Sequence, residues 1–129
     1  DLVFRSRGQV KNAAILLDDP GRAVVAAPLL RIRVKKPQKV LPEYLNWYIN
    51  QRDAQAYLAS RTKGTVQKMI GIQAIEDLKI ELPSLDKQKT IVELVSLSAR
   101  EQVLLNAMAE KRAGYVSTIL MRFVREDRE

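Results

Sequence analysis

The chain of 129 residues contains no cysteine and no histidine. Without cysteine it can form neither a disulfide nor a thiolate metal site. Without histidine it lacks the commonest general base and the commonest neutral metal ligand, so neither a catalytic triad nor a histidine-based zinc site can be built from this chain alone. Any catalysis would have to depend on aspartate, glutamate, lysine, serine or tyrosine.

Long apolar runs are absent as well. No stretch approaches the length of a membrane span, and the first residues lack the charged-then-apolar order of a signal peptide. A cytoplasmic protein without membrane association is the simplest expectation. Aromatic residues make up only 5% of the chain against 47% hydrophobic residues, which predicts a mostly aliphatic core. The chain opens directly on the apolar run DLVF, so we expect a fragment or a shortened relative of a larger protein.

Positive charge is unevenly distributed along the chain. Residues 1–85 hold 14 Lys and Arg against 8 Asp and Glu, whereas residues 86–129 hold 8 against 7, within a net charge of +7. This split is expected if the first part meets a polyanion and the second part meets protein. Basic surplus by itself is weak evidence, because many basic proteins bind no nucleic acid.

The first forty residues have the pattern of short antiparallel strands. Apolar runs at residues 1–4 and 13–17 are separated by a basic turn, and Asp18-Asp19-Pro20-Gly21 supplies the residue types that tight turns require. A third run at residues 23–27 leads through Pro28 into a stretch where apolar and basic residues alternate, which predicts a half-buried strand with a basic outer face. The basic residues of this stretch are Arg31, Arg33, Lys35 and Lys36. The alternative is a charged edge strand protected from aggregation.

A helix is predicted to begin at Pro42, because proline fits a first helical turn and Glu43 suits the positive end of the helix dipole. Its aromatic residues could form a base-stacking surface, but aromatic residues at helical spacing are more often part of a core. The residues predicted to share one face are Leu45, Tyr48, Ile49, Arg52 and Ala56, with Trp47 beside them.

The segment from residue 60 to 71 clusters basic and hydroxyl side chains around two glycines without any acid. Such a loop suits phosphate and base-edge contacts, although the spacing of a nucleotide-binding P-loop is absent. A short helical turn at residues 72–78 and a strand at residues 79–82 are predicted to follow. Together with the first turn, this segment supplies the remaining candidate DNA contacts: Arg5, Arg7, Arg61, Lys63, Thr65, Gln67 and Lys68.

Residues 86–125 are predicted to form one helix, roughly 60 Å long at 1.5 Å per residue, with an apolar stripe along one side. A helix of this length is too long for the preceding domain to cover, so the stripe needs another helix. The alternative is a single core helix in a compact domain. The predicted fold is therefore α+β, with a DNA-facing domain at residues 1–83 and a pairing helix at residues 84–129. The predicted interface residues are Ile91, Leu94, Leu105, Met108, Tyr115 and Ile119.

The order of these motifs resembles the specificity subunits of Type I restriction-modification enzymes. The matching segments are DLVF with RSRG, the basic strand, PEYLNWYIN, KGTVQKMI, LKIELP and SLDKQKTI. The resemblance covers nearly the whole chain, as the C-terminal half of one target recognition domain followed by one conserved spacer helix. The most specific part is residues 78–91, where the family pattern is matched by Pro83, Leu85, Asp86, Gln88 and Ile91.

Two positions depart from the family pattern at the start of the long helix. Ser84 replaces a second proline, and Lys87 stands where an acid is common. We expect Asp86 to cap the helix in spite of this, with a loss well under about 1 kcal/mol.

The resemblance implies a non-catalytic DNA reader. In that family one target recognition domain reads half of a bipartite DNA site, and spacer helices pair as an antiparallel coiled coil that determines the distance between half-sites. Modification subunits methylate adenine with S-adenosylmethionine, and a motor-nuclease subunit uses ATP and magnesium, so this chain needs no cofactor of its own. With one partial domain and one spacer, the chain would act as a homodimer on double-stranded DNA with a palindromic target. Because Ser98, Glu101 and Arg112 fall at seam positions, we expect a short and irregular pairing.

Two other classes of function stay open from the sequence. The chain could be a truncated assembly scaffold, which pairs or binds partner subunits through its long helix without specific DNA binding. It could also be a metal-dependent nuclease built on Asp18 and Asp19, but these residues sit in a turn signal and lack a third carboxylate at a suitable spacing.

Overall fold

A computed structural model describes residues 1–8, 10–18, 21–62 and 69–126 of the chain. The α+β class and the long C-terminal helix are confirmed. The elements in chain order are β1 (Leu2–Arg5), β2 (Ala13–Ile15), β3 (Leu29–Ile32), α1 (Pro42–Ile49), α2 (Arg52–Ser60), α3 (Ile72–Glu76) and α4 (Leu85–Glu126).

The chain divides into two compact units, Asp1–Val92 and Glu93–Glu129. Helix α4 begins in the first unit, and its residues from Glu93 onward belong to the second. The functional boundary at residue 83 stays a prediction, because it concerns which part of the chain meets DNA.

The three strands form one antiparallel sheet in the order β2-β1-β3. Leu2 lies opposite Ile15 on one side and Ile32 on the other, so these side chains share the inner face. Phe4 and Leu2 are fully buried there, while Arg5 is exposed on the opposite face. The predicted pairing of the first two runs is thereby confirmed. The basic strand also alternates as predicted, but it ends at Ile32, so its last basic residues follow the strand.

The core of the first unit lies between this inner face and the helices. Leu2 and Phe4 of β1 pack with Leu45 and Ile49 of α1, together with Leu58 of α2. Ile70, just before α3, and Ala74, within α3, complete the cluster. Aliphatic side chains and a single phenylalanine make up this cluster, as the low aromatic content predicts.

The helical face predicted across residues 45–56 is wrong in its second half. Helix α1 ends at Ile49, Gln51 has extended backbone angles, and α2 begins at Arg52. This break resets the helical phase, so α2 buries Ala54 and Leu58 and leaves Arg52 exposed. Ala56 is likewise exposed.

The strand predicted at residues 79–82 is also wrong, because this segment is not part of the sheet. Ile80 is half-buried and packs against the core beside Leu78, whereas Leu82 is 52% exposed. The backbone carbonyl of Glu81 accepts a 2.6 Å hydrogen bond from the hydroxyl of Tyr44. The Glu81 carbonyl, which in a sheet would accept a hydrogen bond from a neighbouring strand, thus accepts one from a side chain of α1.

Helix α4 is capped by Ser84, and the prediction that Asp86 caps it is wrong. The backbone N–H of Lys87 donates to the Ser84 hydroxyl oxygen at 3.4 Å, and the N–H of Gln88 donates to the Ser84 carbonyl at 3.0 Å. Asp86 lies in the first turn, where its negative charge still interacts favourably with the helix dipole. The replacement of a proline by serine therefore supplies the cap instead of weakening it.

Candidate nucleic-acid interface

The outer face of the sheet brings two of the predicted DNA contacts together. Arg31 lies opposite Val3, and Arg5 lies opposite Leu29, in adjacent rows of the same antiparallel pair. Residues in this diagonal relation have backbones about 7–8 Å apart, and both arginines are exposed. Two guanidinium groups can therefore reach neighbouring phosphates from one exposed face.

Arg33 extends this face but is already engaged. Its Nε and Nη2 atoms donate to the two carboxylate oxygens of Asp1 at 2.8 and 2.6 Å. This two-point ion pair uses two of the five guanidinium N–H donors and offsets the positive charge locally. Arg33 is accordingly a weaker candidate for a phosphate contact than Arg31.

Arg7 lies where a later segment of the chain returns to β1. The backbone of Arg7 forms an isolated bridge with Met69, and the N–H of Ile70 donates to the Ser6 carbonyl at 2.9 Å. The Arg7 guanidinium also contacts the Met69 sulfur at 3.6 Å. Arg7 therefore lies beside Met69 and Ile70, which directly follow residues 63–68 in the sequence. The predicted contacts Lys63, Thr65, Gln67 and Lys68 lie outside the described residues.

Lys35 and Lys36 follow β3 and are exposed. With Arg33 they border a groove of about 350 Å³ whose apolar lining includes Val34 and Ile80. The turn after them is closed by the N–H of Lys39, which donates to the Lys36 carbonyl at 2.9 Å. The groove thus carries three cations along its rim.

Arg61 lies in a different environment from the other predicted contacts. It follows α2, and its guanidinium carbon stands 5.3 Å from the centre of the Tyr57 ring, within range of a cation–π interaction. It lines a cleft of about 620 Å³ together with Tyr48, Asp53 and Asp77. The two carboxylates offset the charges of Arg61 and of Lys79, which also lines the cleft, so the cleft is less favourable to phosphate than the sheet face.

Net positive charge is concentrated in the part of the sequence that forms the sheet, and not in the part that forms the cleft around Arg61. Residues 1–41 hold nine Lys or Arg and three acids, whereas residues 42–83 hold five of each. Most of the positive excess of the first unit therefore belongs to the strands and their connections, since residues 84–92 add a net charge of only +1. This charge distribution favours approach of a polyanion from the sheet side, and residues 42–83 add no net charge.

The aromatic side chains of α1 pack mainly on one another. Tyr44 stands 5.6 Å from Trp47 and 6.0 Å from Tyr48 between ring centres, and Tyr44 is buried while the other two are half-buried. Burial, followed by the neighbouring Tyr48 and Glu81, raises the pKa of Tyr44 above its ordinary value of 10.0. The core interpretation is confirmed for Tyr44.

The apolar stripe of α4 is largely exposed in the second unit. Leu105 is 51% exposed and Met108 67% exposed, and Leu94 and Tyr115 are also exposed. Ile119 is half-buried, and Ile91 is half-buried in the first unit. The sequence interpretation missed Leu97 and Leu104, which are exposed seven residues apart and flank the stripe. Their heptad spacing was the signal that could have identified them.

No cluster of three acidic side chains suitable for a metal ion occurs among the described residues. Asp18 is exposed, and Asp19 lies outside the described residues. Within the described part of the chain, no helix combines the length and the apolar composition that a membrane crossing requires.

Comparison with known proteins gave one family match. A family model described as Type I restriction modification DNA specificity domain matches residues 3–107. The match includes β1 from its second residue, the other two strands, the three short helices and the first half of α4. Among individually curated proteins, none matches the chain significantly.

Proposed function

Because the chain belongs to the family of Type I restriction-modification DNA specificity domains, we propose that it reads one half of a bipartite DNA target through the outer face of its sheet. The observation that carries this proposal is the placement of Arg5 and Arg31 side by side on an exposed face. Guanidinium groups recognise phosphates and guanine edges by two-point hydrogen bonding, and phosphate contacts position a protein on the duplex.

The flanking cations extend this interface in both directions along the sheet. Lys35 and Lys36 lie beyond one end of β3, and Arg7 lies beyond the end of β1. Lys63, Thr65, Gln67 and Lys68 enter the proposal on their side-chain chemistry alone. Arg33 contributes less, because Asp1 already holds its guanidinium.

The long helix supplies the second part of the proposed function. Two copies of the chain pair through the α4 stripe, so that two DNA-facing units hold a palindromic target with a fixed gap between its halves. The exposure of Leu105, Met108 and Tyr115 supports such pairing, since apolar side chains in this number gain from being covered. Leu97 and Leu104 add apolar surface beside the stripe, which suits contact with a modification subunit.

Catalysis in the proposed assembly belongs to the partner subunits. The modification subunits bind S-adenosylmethionine, and the motor-nuclease subunit binds ATP and magnesium, in the cytoplasm. The chain itself acts as a non-catalytic reader and spacer.

The salt dependence of DNA binding tests the sheet interface. Binding to a mixed-sequence duplex is measured by fluorescence anisotropy at several salt concentrations for the wild-type chain and for Arg31→Ala. The slope of log affinity against log salt should shrink by about 0.9 for each phosphate that the variant no longer neutralises. Arg33→Ala should produce a smaller change because of its ion pair.

Arg52→Ala provides the matched control, because Arg52 is an exposed arginine on α2 and not on the sheet. Equal effects of Arg31→Ala and Arg52→Ala would contradict a sheet interface. No measurable affinity of the wild-type chain at low salt would reject DNA binding altogether.

The second candidate function is an assembly scaffold that pairs through α4 without reading DNA. The mixed character of the outer sheet face favours it, because Leu16 and Leu29 are exposed beside the arginines and protein interfaces are enriched in arginine. Substitution of Leu105 and Met108 by glutamate separates the two candidates. Both predict loss of pairing, but only the DNA reader predicts weaker DNA binding as well.

A further inference from the structure

Gln88 is the only glutamine among the fully buried large side chains of the described residues, with 0% of its surface exposed. Its companions in that group are apolar, namely phenylalanine, leucine and isoleucine. Burying an amide without hydrogen bonds is costly, whereas a fully bonded amide specifies one arrangement of its neighbours. The bonds of Gln88 therefore indicate what it holds in place.

The side chain of Gln88 joins three separate places in the first unit. Its Oε1 atom accepts a hydrogen bond from the backbone N–H of Leu41 at 2.9 Å. Its Nε2 atom donates to the carbonyls of Lys39 and Pro83, each at 2.9 Å. The first turn of α4 is thereby tied to the turn before it and to the loop that leads from the basic segment into α1.

The partners of Gln88 determine which side chain can serve here. Two carbonyls require two donors, and one N–H requires an acceptor, which matches the two hydrogens and the oxygen of a primary amide. A methionine of similar length can donate to neither carbonyl and offers the N–H only a weak sulfur acceptor, and a carboxylate faces two carbonyls with no hydrogen to donate. Hydrophobic packing alone would be met by leucine or methionine, so the amide serves a positional purpose.

We propose that Gln88 is a positioning residue, which holds the start of α4 in one register on the DNA-facing unit so that two paired copies accept only one gap between half-sites. The inference rests on the proposed function and adds the residue that makes the spacing selective. In this assembly the apolar stripe of α4 pairs the two copies. The hydrogen bonds of Gln88 connect the start of α4 to the loop that follows Lys35 and Lys36.

Duplexes recovered from a randomised DNA pool with the wild-type chain provide the probe. Each recovered sequence is prepared with one half-site, with two half-sites at the recovered gap, and with two half-sites at altered gaps. Divalent binding at a matching gap exceeds single-site binding on the order of 100-fold. In Gln88→Met this advantage should fall about tenfold or more, while affinity for the one-site duplex stays unchanged.

Gln73→Met is the matched control. Gln73 is an exposed glutamine of α3 whose side chain makes one hydrogen bond, to Asp77 at 3.0 Å. The control should keep both the one-site affinity and the two-site advantage of the wild-type chain.

Gln88→Glu gives a second test if Gln88→Met does not fold. The buried carboxyl should titrate above its ordinary range, because only its neutral form can donate a hydrogen bond to a facing carbonyl. The neutral carboxyl has one O–H and can restore one of the two donated bonds, so gap selectivity should be partly recovered at about pH 5 and lost again as the pH rises. The wild-type chain is a suitable reference over this range, because it contains no histidine.

The possible outcomes distinguish failure of the positioning role of Gln88 from failure of the proposed DNA-reading function. If the wild-type chain enriches no DNA motif, the proposed function fails. If it enriches a motif and Gln88→Met keeps the same gap preference, or loses one-site and two-site affinity equally, the positioning role is overturned. If neither variant folds under any of these conditions, Gln88 is required for folding itself and the positioning role is rejected.

Discussion

The side chain of Asn50 forms hydrogen bonds with backbone groups at the free edge of the sheet. Its Oδ1 atom accepts a hydrogen bond from the N–H of Ala13, and its Nδ2 atom donates to the Ala13 carbonyl, both at 2.9 Å. This pair of bonds imitates the exchange between two strands. The free edge of β2 is thereby partly covered by the residue that follows α1, which reduces the risk of pairing with another chain.

Asn50→Ala should lower the free energy of unfolding by about 2–3 kcal/mol. The change removes two hydrogen bonds and leaves the backbone groups of buried Ala13 without partners. Urea denaturation followed by circular dichroism measures the loss. Asn12→Ala, at an exposed position on the preceding connection, should change stability by less than about 0.5 kcal/mol. Similar values for the two variants would show that the amide of Asn50 does not stabilise the sheet.

Tyr44 combines burial with a hydrogen bond to the Glu81 carbonyl. Tyr44→Phe should cost about 1 kcal/mol at neutral pH, because it removes that bond and leaves the carbonyl without its side-chain donor. Tyr115→Phe, at a 68% exposed position, is the control and should have little effect.

The raised pKa of Tyr44 also predicts a sensitivity to alkaline pH. The folded state holds this proton more tightly than the unfolded state, so the stability that it contributes is complete below pH 10.0 and is lost as the pH rises through the folded pKa. Urea denaturation at about pH 9 to 11 should show a shallower decline for Tyr44→Phe than for the wild-type chain. Parallel declines would contradict the assignment.

Helix α4 shows what periodicity can and cannot predict for an element. The helix of 42 residues is about 63 Å long at 1.5 Å per residue, close to the sequence expectation. The continuous pattern of three- and four-residue steps predicted its extent, because helical hydrogen bonds are local. The same pattern also predicted a stripe, but the apolar surface is wider and includes Leu97 and Leu104.

Charged substitutions in the stripe should abolish pairing of α4. Leu105→Glu and Met108→Glu place a carboxylate in the proposed seam, where covering it costs several kcal/mol. Sedimentation equilibrium should show a dimer for the wild-type chain and a monomer for both variants.

Ala107→Glu is the control, because at about 100° per residue it lies roughly opposite Leu105 on the helix. Ala107 is exposed, and its replacement should leave the dimer intact. A wild-type chain that stays monomeric at high micromolar concentration would contradict the pairing proposal.

At the scale of the whole molecule, the absence of histidine has a direct consequence for stability. Histidine is the side chain whose ordinary pKa falls between about pH 5 and 8, so the folded and unfolded states should bind nearly equal numbers of protons there. The free energy of unfolding should therefore stay within about 0.5 kcal/mol from about pH 6 to pH 8 at constant salt. A steep slope in urea denaturation across this range would reveal a strongly shifted carboxyl or amino group.

The charge distribution acts at the same scale. Most of the positive excess of the first unit lies within residues 1–41, whereas residues 86–129 carry a net charge of only +1. In the proposed assembly, long-range attraction to DNA would come from the strands and their connections, while the low net charge of the long helix would limit repulsion between two copies. This division agrees with the proposed roles of the two parts.

Family membership, the α+β class, the alternation of the basic strand and the extent of α4 could all be predicted from the sequence. Each depends on motif order or on a periodicity that is visible within a short window of residues. Side-chain alternation at residues 30–34, for example, follows from strand geometry once one face is buried. The candidate Arg5 and Arg31 were identified by type, although not as neighbours.

Only the tertiary structure decided which groups meet across long distances in the chain. Arg33 pairs with Asp1 across 32 residues, Asn50 with Ala13 across 37, and Gln88 with Lys39 across 49. The segment at residues 79–82 has the alternation of a strand, yet the fold supplies a tyrosine hydroxyl in place of a neighbouring strand. Periodicity in the sequence shows which residues of an element face the core. The hydrogen-bond partner of a residue, in contrast, depends on which elements pack against each other in the fold.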